Sequence, residues 1–112
     1  MLYNLDKLTE LSGGDEEFIL SVISVFLEET PQDLSNLKNA VENENFEDIY
    51  QHAHKMKPNV DLLGMEDTRI KVLAIETQGK GDKDMEVINA LFPEVEASVH
   101  KAIHQLKDNF SL

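Results

Sequence analysis

The sequence predicts an all-α protein, an antiparallel helical bundle with two short extra helices near its N-terminus. Three observations lead there. Apolar residues recur at three- and four-residue spacing along almost every segment, and none alternates convincingly as a strand does. Capping residues stand at the segment boundaries. The connections are short, which makes successive helices antiparallel neighbours.

Asn4 is placed to cap a short helix, Leu5 to Leu11, that stops at Gly13-Gly14. Asp15 caps the next, whose stripe is Phe18, Ile19, Val22, Ile23, Phe26 and Leu27. Thr30-Pro31 reads as a cap followed by proline at the first helical position, so this helix is expected to end near Glu29. A third helix then carries Leu34, Leu37, Ala40 and Val41 to the polar turn "ENEN". Asn45 caps a fourth, from Phe46 to about Leu63, with Gly64 as its stop. A fifth, Glu66 to about Gln78, is expected to bury Ile70, Leu73 and Ala74, with Val72 or Ile75 flanking. "GKGDKD" is the clearest loop. The last helix runs from about Lys83 to Lys107, and Pro93 is expected to kink or split it.

The chain has 112 residues, enough for one domain with one core spanning 1–112. At 41% apolar it can fold, but Trp is absent, so aliphatic residues, Met and Phe fill that core. No apolar run approaches the roughly 18 residues of a membrane span, and "MLYNLDKL" lacks the basic and apolar regions of a signal peptide. Without cysteine there are no disulfides and no thiolate metal sites. These features fit a cytoplasmic location. The net charge of −12, from 22 acidic and 10 basic residues, repels phosphate backbones and anionic lipid. Neither nucleic acid nor membrane is an expected partner.

Chemistry concentrates in the fourth helix. At about 100° per residue, Phe46, Ile49, Tyr50, Ala53, Met56, Val60 and Leu63 share one broad face, which must be core. His54 falls well off that face and is expected to point to solvent. Lys57 and Asp61 lie along its flank and are spaced to form an i,i+4 pair. His52 and His54 point to opposite sides, about 200° apart, and cannot chelate one ion. An imidazole in water titrates near 6.5, so much of it is a neutral nucleophile at pH 7. A lysine one turn on supplies charge for a phosphoryl group.

The stretch "AHKMKPNVDLLG" resembles the motif of histidine-containing phosphotransfer (HPt) domains, roughly Ala-His-x-Leu-Lys-Gly-Ser with a glycine ten residues past the histidine. Ala53, His54, Met56, Lys57 and Gly64 carry the match. "GGDEEF", "FLEETP", the alanine of "LKNAV" and "LAIE" extend the likeness to about residues 3 to 106. The resemblance implies an antiparallel four-helix bundle and a phosphorelay intermediate. His54 would accept a phosphoryl group from a receiver-domain aspartyl phosphate and pass it to another receiver aspartate. Lys57 would hold the phosphoryl oxygens, Glu76 would orient the imidazole through its second nitrogen, and Gly64 would allow close packing near the site. Read from the residues alone, Glu76 is equally well a solvated carboxylate. The implied partners are receiver domains of hybrid histidine kinases and of response regulators. The protein would have no cofactor of its own and no kinase activity, with Mg²⁺ coming from the partner receiver. Leu62, Met65 and Val72 are candidate docking residues, and Lys55 with Lys57 would form a positive island in a negative surface.

Two positions depart from the motif. Pro58 replaces the usual glycine and Asn59 the usual serine. Pro58 has no N–H for the carbonyl of His54, so a kink is expected there; it either fills part of the approach to the histidine or simply lets the helix curve round the core. Two other readings stand beside phosphotransfer. One is an adaptor that keeps the fold without the reaction. The other is a metal-binding bundle using His100 and His104, which share a helix face. The initial Met and the complete bundle favour a freestanding chain.

Overall fold

The structure, a computed structural model, describes residues 3–112. Met1 and Leu2, where the reading of the N-terminus begins, lie outside the described residues. Five helices and no strands are present among the described residues: α1 (Asp6–Ser12), α2 (Glu16–Glu42), α3 (Phe46–Leu62), α4 (Glu66–Lys80) and α5 (Met85–Phe110). α2 packs on α3, α3 on α4, α4 on α5, and α5 returns to α2. At about 1.5 Å per residue, the 27 residues of α2 rise through most of the 41 Å long axis.

Asp15 and Asn45 cap α2 and α3 as expected, and Asp84 caps α5, which starts after it. Asp15 accepts from the amides of Glu17 and Phe18, Asn45 from Asp48, and Asp84 from Glu86. Asn4 accepts from the amide of Asp6 from two residues before α1, where Leu5 and not Asn4 holds the cap position. Gly13 ends α1 in the left-handed region, and Gly64 follows α3 in the same way.

One helix replaces two at Pro31. The helices expected to meet there are a single α2, so the described residues hold one short N-terminal helix. Pro31 withholds an N–H from Leu27, which disfavours a helix interior. The buried stripe Ile23, Phe26, Thr30, Leu34, Leu37 and Val41 nevertheless stays in phase across it, and a break would put one half of that stripe out of register with the core. Thr30 is fully buried in the stripe and caps nothing. Farther out, Phe18 is exposed rather than core. Pro93 likewise sits inside an unbroken α5, because Ile88, Phe92, Val95, Val99 and Leu106 keep one face.

α4 presents a different face from the one expected. Ile70 and Leu73 are 52% and 39% exposed, while Thr68, Val72, Ile75, Glu76 and Gly79 are buried. Gly79 belongs to the helix, so the loop shrinks to Gly81–Asp84.

The N-terminal segment closes one end. The amide of Asn4 donates to the carbonyl of Leu63 at 2.8 Å, and Lys7 pairs with Asp61 at 2.5 Å. Gly64, with φ of 65°, lies so close to Asn4 that a Cβ there would run into its backbone carbonyl.

Candidate functional site

α3 buries Ile49, Ala53, Met56 and Val60 and leaves Phe46 and Tyr50 half-buried at the edge of that face. His54 is turned outward, its side chain 59% exposed. Across from it α4 supplies Glu76, one of the few buried charged residues. Gly79, one turn beyond Glu76, sets how near the two helices come. A Cβ there would stand 2.9 Å from the amide nitrogen of Tyr50 and 3.1 Å from the carbonyl of Phe46. Both neighbours are backbone and cannot swing aside. The missing side chain thus lets α4 approach α3 closely enough for a glutamate to reach the imidazole.

Glu76 Oε2 lies 2.9 Å from His54 Nδ1. The ammonium of Lys57 straddles the same carboxylate, 2.8 Å from Oε1 and 3.3 Å from Oε2. The longer contact has hydrogen-bond geometry; the shorter one is an ion pair at an unsuitable angle, which leaves Oε1 buried without a directed donor. Burial pushes the Glu76 carboxyl up. Hydrogen bonds from Lys57 and then His54, with the charges they carry, outweigh it and hold the group below its ordinary range. An ionised carboxylate can only accept, so Nδ1 must carry a proton. The free nitrogen of a neutral His54 is then Nε2, with its lone pair available.

A second set of groups flanks the imidazole. The Tyr50 ring stacks on it with centroids 5.7 Å apart and planes 19° from parallel. Lys80, one turn beyond Glu76 on α4, holds its Nζ 5.4 Å from the Tyr50 centroid. Tyr50, Glu76, Thr77, Lys80 and Gly81 line a cavity of about 280 Å³ beside the histidine.

Of the residues singled out in the sequence, His54, Lys57 and Glu76 come together. Lys57 does not pair with Asp61, which instead meets Lys7 and lies 3.8 Å from Arg69. Lys55 pairs with the buried Asp33 on α2 at 2.8 Å. With both lysines matched to carboxylates, the expected positive island is neutralised. Gly64 packs closely, but against Asn4 and ten residues along α3 from His54, about 15 Å of helical rise. It shapes the N-terminal end, not the imidazole. Pro58 lies within an unbroken α3. Met65 and Val72 are core, whereas Leu62 lines a groove between α2 and α3 with Val22, Val25 and Asn59. His104 approaches Asp108, and no group of three or more His, Cys, Asp or Glu able to hold a metal forms among the described residues. No helix among them is long and apolar enough to cross a membrane.

Sequence reasoning missed Gly79, Asp33 and the part played by Tyr50. Tyr50 stands four residues before His54, a spacing that brings two side chains together on a helix, so that contact was within reach. Gly79 and Asp33 act across helices, and nothing local marks them.

A family model for the Hpt domain matches residues 21–109. The searches of curated proteins and of solved structures gave no match. The family match spans α3 and α4 entire, most of α2 and nearly all of α5, and takes in the His54, Lys57 and Glu76 cluster, so the chain belongs to the Hpt-domain family.

Proposed function

We propose that this protein is a phosphorelay intermediate in which His54 accepts a phosphoryl group from an aspartyl phosphate of one receiver domain and passes it to an aspartate of another. Hpt domains are phosphotransfer carriers without kinase activity of their own. The observation that carries the assignment to His54 is the contact between its Nδ1 and the buried, ionised Glu76. In this reading the four long helices, packed in a closed cycle, are the family's antiparallel four-helix bundle.

Nε2 of the neutral imidazole attacks the phosphorus in line with the acyl oxygen. The N–P bond forms, the P–O bond to the aspartyl group breaks, and its electron pair leaves with the receiver's carboxylate. No proton needs to move, because Nε2 brings a lone pair and Nδ1 keeps its hydrogen. The imidazole becomes cationic as it is phosphorylated, and Glu76 stands against that charge. Transfer to a second receiver reverses these steps. Lys57, anchored by Glu76, supplies a point charge for the phosphoryl oxygens. Mg²⁺ belongs to the partner receiver. The groove lined by Val22, Val25 and Leu62 offers apolar surface for docking.

The test is a panel of receiver domains loaded with acetyl phosphate. Acid-labile, alkali-stable label is expected on the wild type and absent from His54→Gln. Label that persists in the variant refutes the assignment.

A further inference from the structure

A single hydrogen bond fixes one atom of a ring and leaves its plane free to pivot. Glu76 holds Nδ1 in this way. The Tyr50 ring lies nearly parallel to the imidazole and offset along it, with the centroids 5.7 Å apart, so it borders one face of the ring. Tyr50 is itself confined, its backbone against Gly79 and its ring beneath the ammonium of Lys80. α4 therefore supports the histidine twice, directly from Glu76 and one turn farther on from Lys80 through Tyr50.

We infer that Tyr50 is a positioning residue for His54: its ring, steadied by Lys80, sets the plane of the imidazole and so aims Nε2 along the line of phosphoryl transfer. Two physical arguments support this. In-line transfer is sensitive to the angle of attack, so a ring free to tilt spends less time in the productive pose. Phosphorylation at Nε2 also makes the ring cationic while Nδ1 keeps its proton, and the face of a tyrosine attracts a cation. The stack therefore favours the phosphorylated ring over the neutral one. This inference rests on His54 being the phosphoacceptor.

Phosphoramidate, a small phosphodonor, tests it without a partner. The labelling rate and the half-life of the label are measured for the wild type, Tyr50→Phe, Tyr50→Leu and Lys80→Met, with His54→Gln as control. Phenylalanine keeps the face and leucine keeps only apolar bulk, so the pair separates stacking from packing. Tyr50→Phe is expected to label within about twofold of the wild type, and Tyr50→Leu about tenfold more slowly. The label on Tyr50→Leu should decay about two- to fivefold faster. Lys80→Met should show the same changes in smaller measure. The ring protons of His54 should move downfield in the NMR spectrum of Tyr50→Leu as the shielding by the tyrosine ring is lost. A folded Tyr50→Leu protein that takes up and keeps phosphate as the wild type does overturns the inference. His52, His100 and His104 also present imidazoles to so small a donor, so uptake is read at the His54 ring resonances. A wild-type His54 that takes up no phosphate removes the acceptor itself, a failure distinct from loss of stacking, which the NMR shift reports whether or not the ring reacts.

Discussion

Lys55 and Lys57 stand two residues apart on α3, and each reaches a buried carboxylate on a different neighbour. Lys55 meets Asp33 on α2, and Lys57 meets Glu76 on α4, both at 2.8 Å. The carboxylates are similarly buried, with side chains 2% and 10% exposed. What differs is the second partner. Glu76 also receives His54, whereas Oδ2 of Asp33 is buried with no hydrogen bond, as is the hydroxyl of Thr30 one turn before it. A buried carboxylate with one cation ties two helices together and is weak evidence for net stability. The same group given an imidazole as well fixes the tautomer and direction of a nucleophile. One ion pair thus serves the fold, and the other serves the reaction proposed for His54.

The sharpest break between them is in the rate of phosphotransfer. Glu76→Leu frees Nδ1 from its acceptor and is expected to slow transfer about 100-fold, while Asp33→Leu should stay within about twofold of the wild type. Rapid-quench measurements with a loaded receiver decide it. Equal losses in the two variants would mean that the imidazole contact adds nothing to a shared structural role.

The two lysines should then separate rate from stability. Lys57→Ala removes charge near the phosphoryl oxygens and is expected to slow transfer about tenfold. It should cost about 1–2 kcal/mol in stability, since Glu76 keeps the N–H of His54. Lys55→Ala takes away the only donor to the Asp33 carboxylate among the described residues, so it should lower the urea midpoint further than Lys57→Ala does, yet leave transfer unchanged. If the variant with the slower transfer also had the lower midpoint, the division of labour would be lost.

The sequence shows one side of this comparison better than the other. His54 and Lys57 were legible because both lie on one helix, where a wheel gives direction and an i,i+3 spacing gives contact. The carboxylate that Lys57 chooses was less so. From α3 alone Asp61 is its neighbour, but Asp61 is drawn off by Lys7, 54 positions away. The face of α4 was misjudged for a related reason. Apolarity marks Ile70 and Leu73, whereas Glu76 and Gly79 are buried because the former meets His54 and Lys57 and the latter makes room for α3. A site that needs a polar group and a gap at the helix contact erases the pattern by which a buried face is recognised. At Pro31 the local signal of a cap and a proline was present, but the continuous stripe from Ile23 to Val41 overrides it.

The smallest expected effect separates the two pairs at opposite ends of the pH scale. Glu76 is held below the ordinary carboxyl range, burial being outweighed by Lys57 and His54. Its contribution to stability is therefore complete above the unfolded value of about 4.3 and is lost as pH falls through the lower, folded value. Lys55 is held above the ordinary lysine range, first by its hydrogen bond to Asp33 and then by the charge of Asp33. Its contribution is complete below about 10.4 and is lost as pH rises through the higher, folded value. Urea midpoints of the wild type and Glu76→Gln should accordingly converge as pH falls below the ordinary carboxyl range, where the glutamate takes up a proton and resembles the amide. Midpoints of the wild type and Lys55→Ala should converge on the alkaline side, where Lys55 gives up its proton and its hold on Asp33. A gap between wild type and Glu76→Gln that is unchanged at the acid end would show that the carboxylate gains nothing from His54 and Lys57 as a charge, and would end the distinction drawn for Glu76.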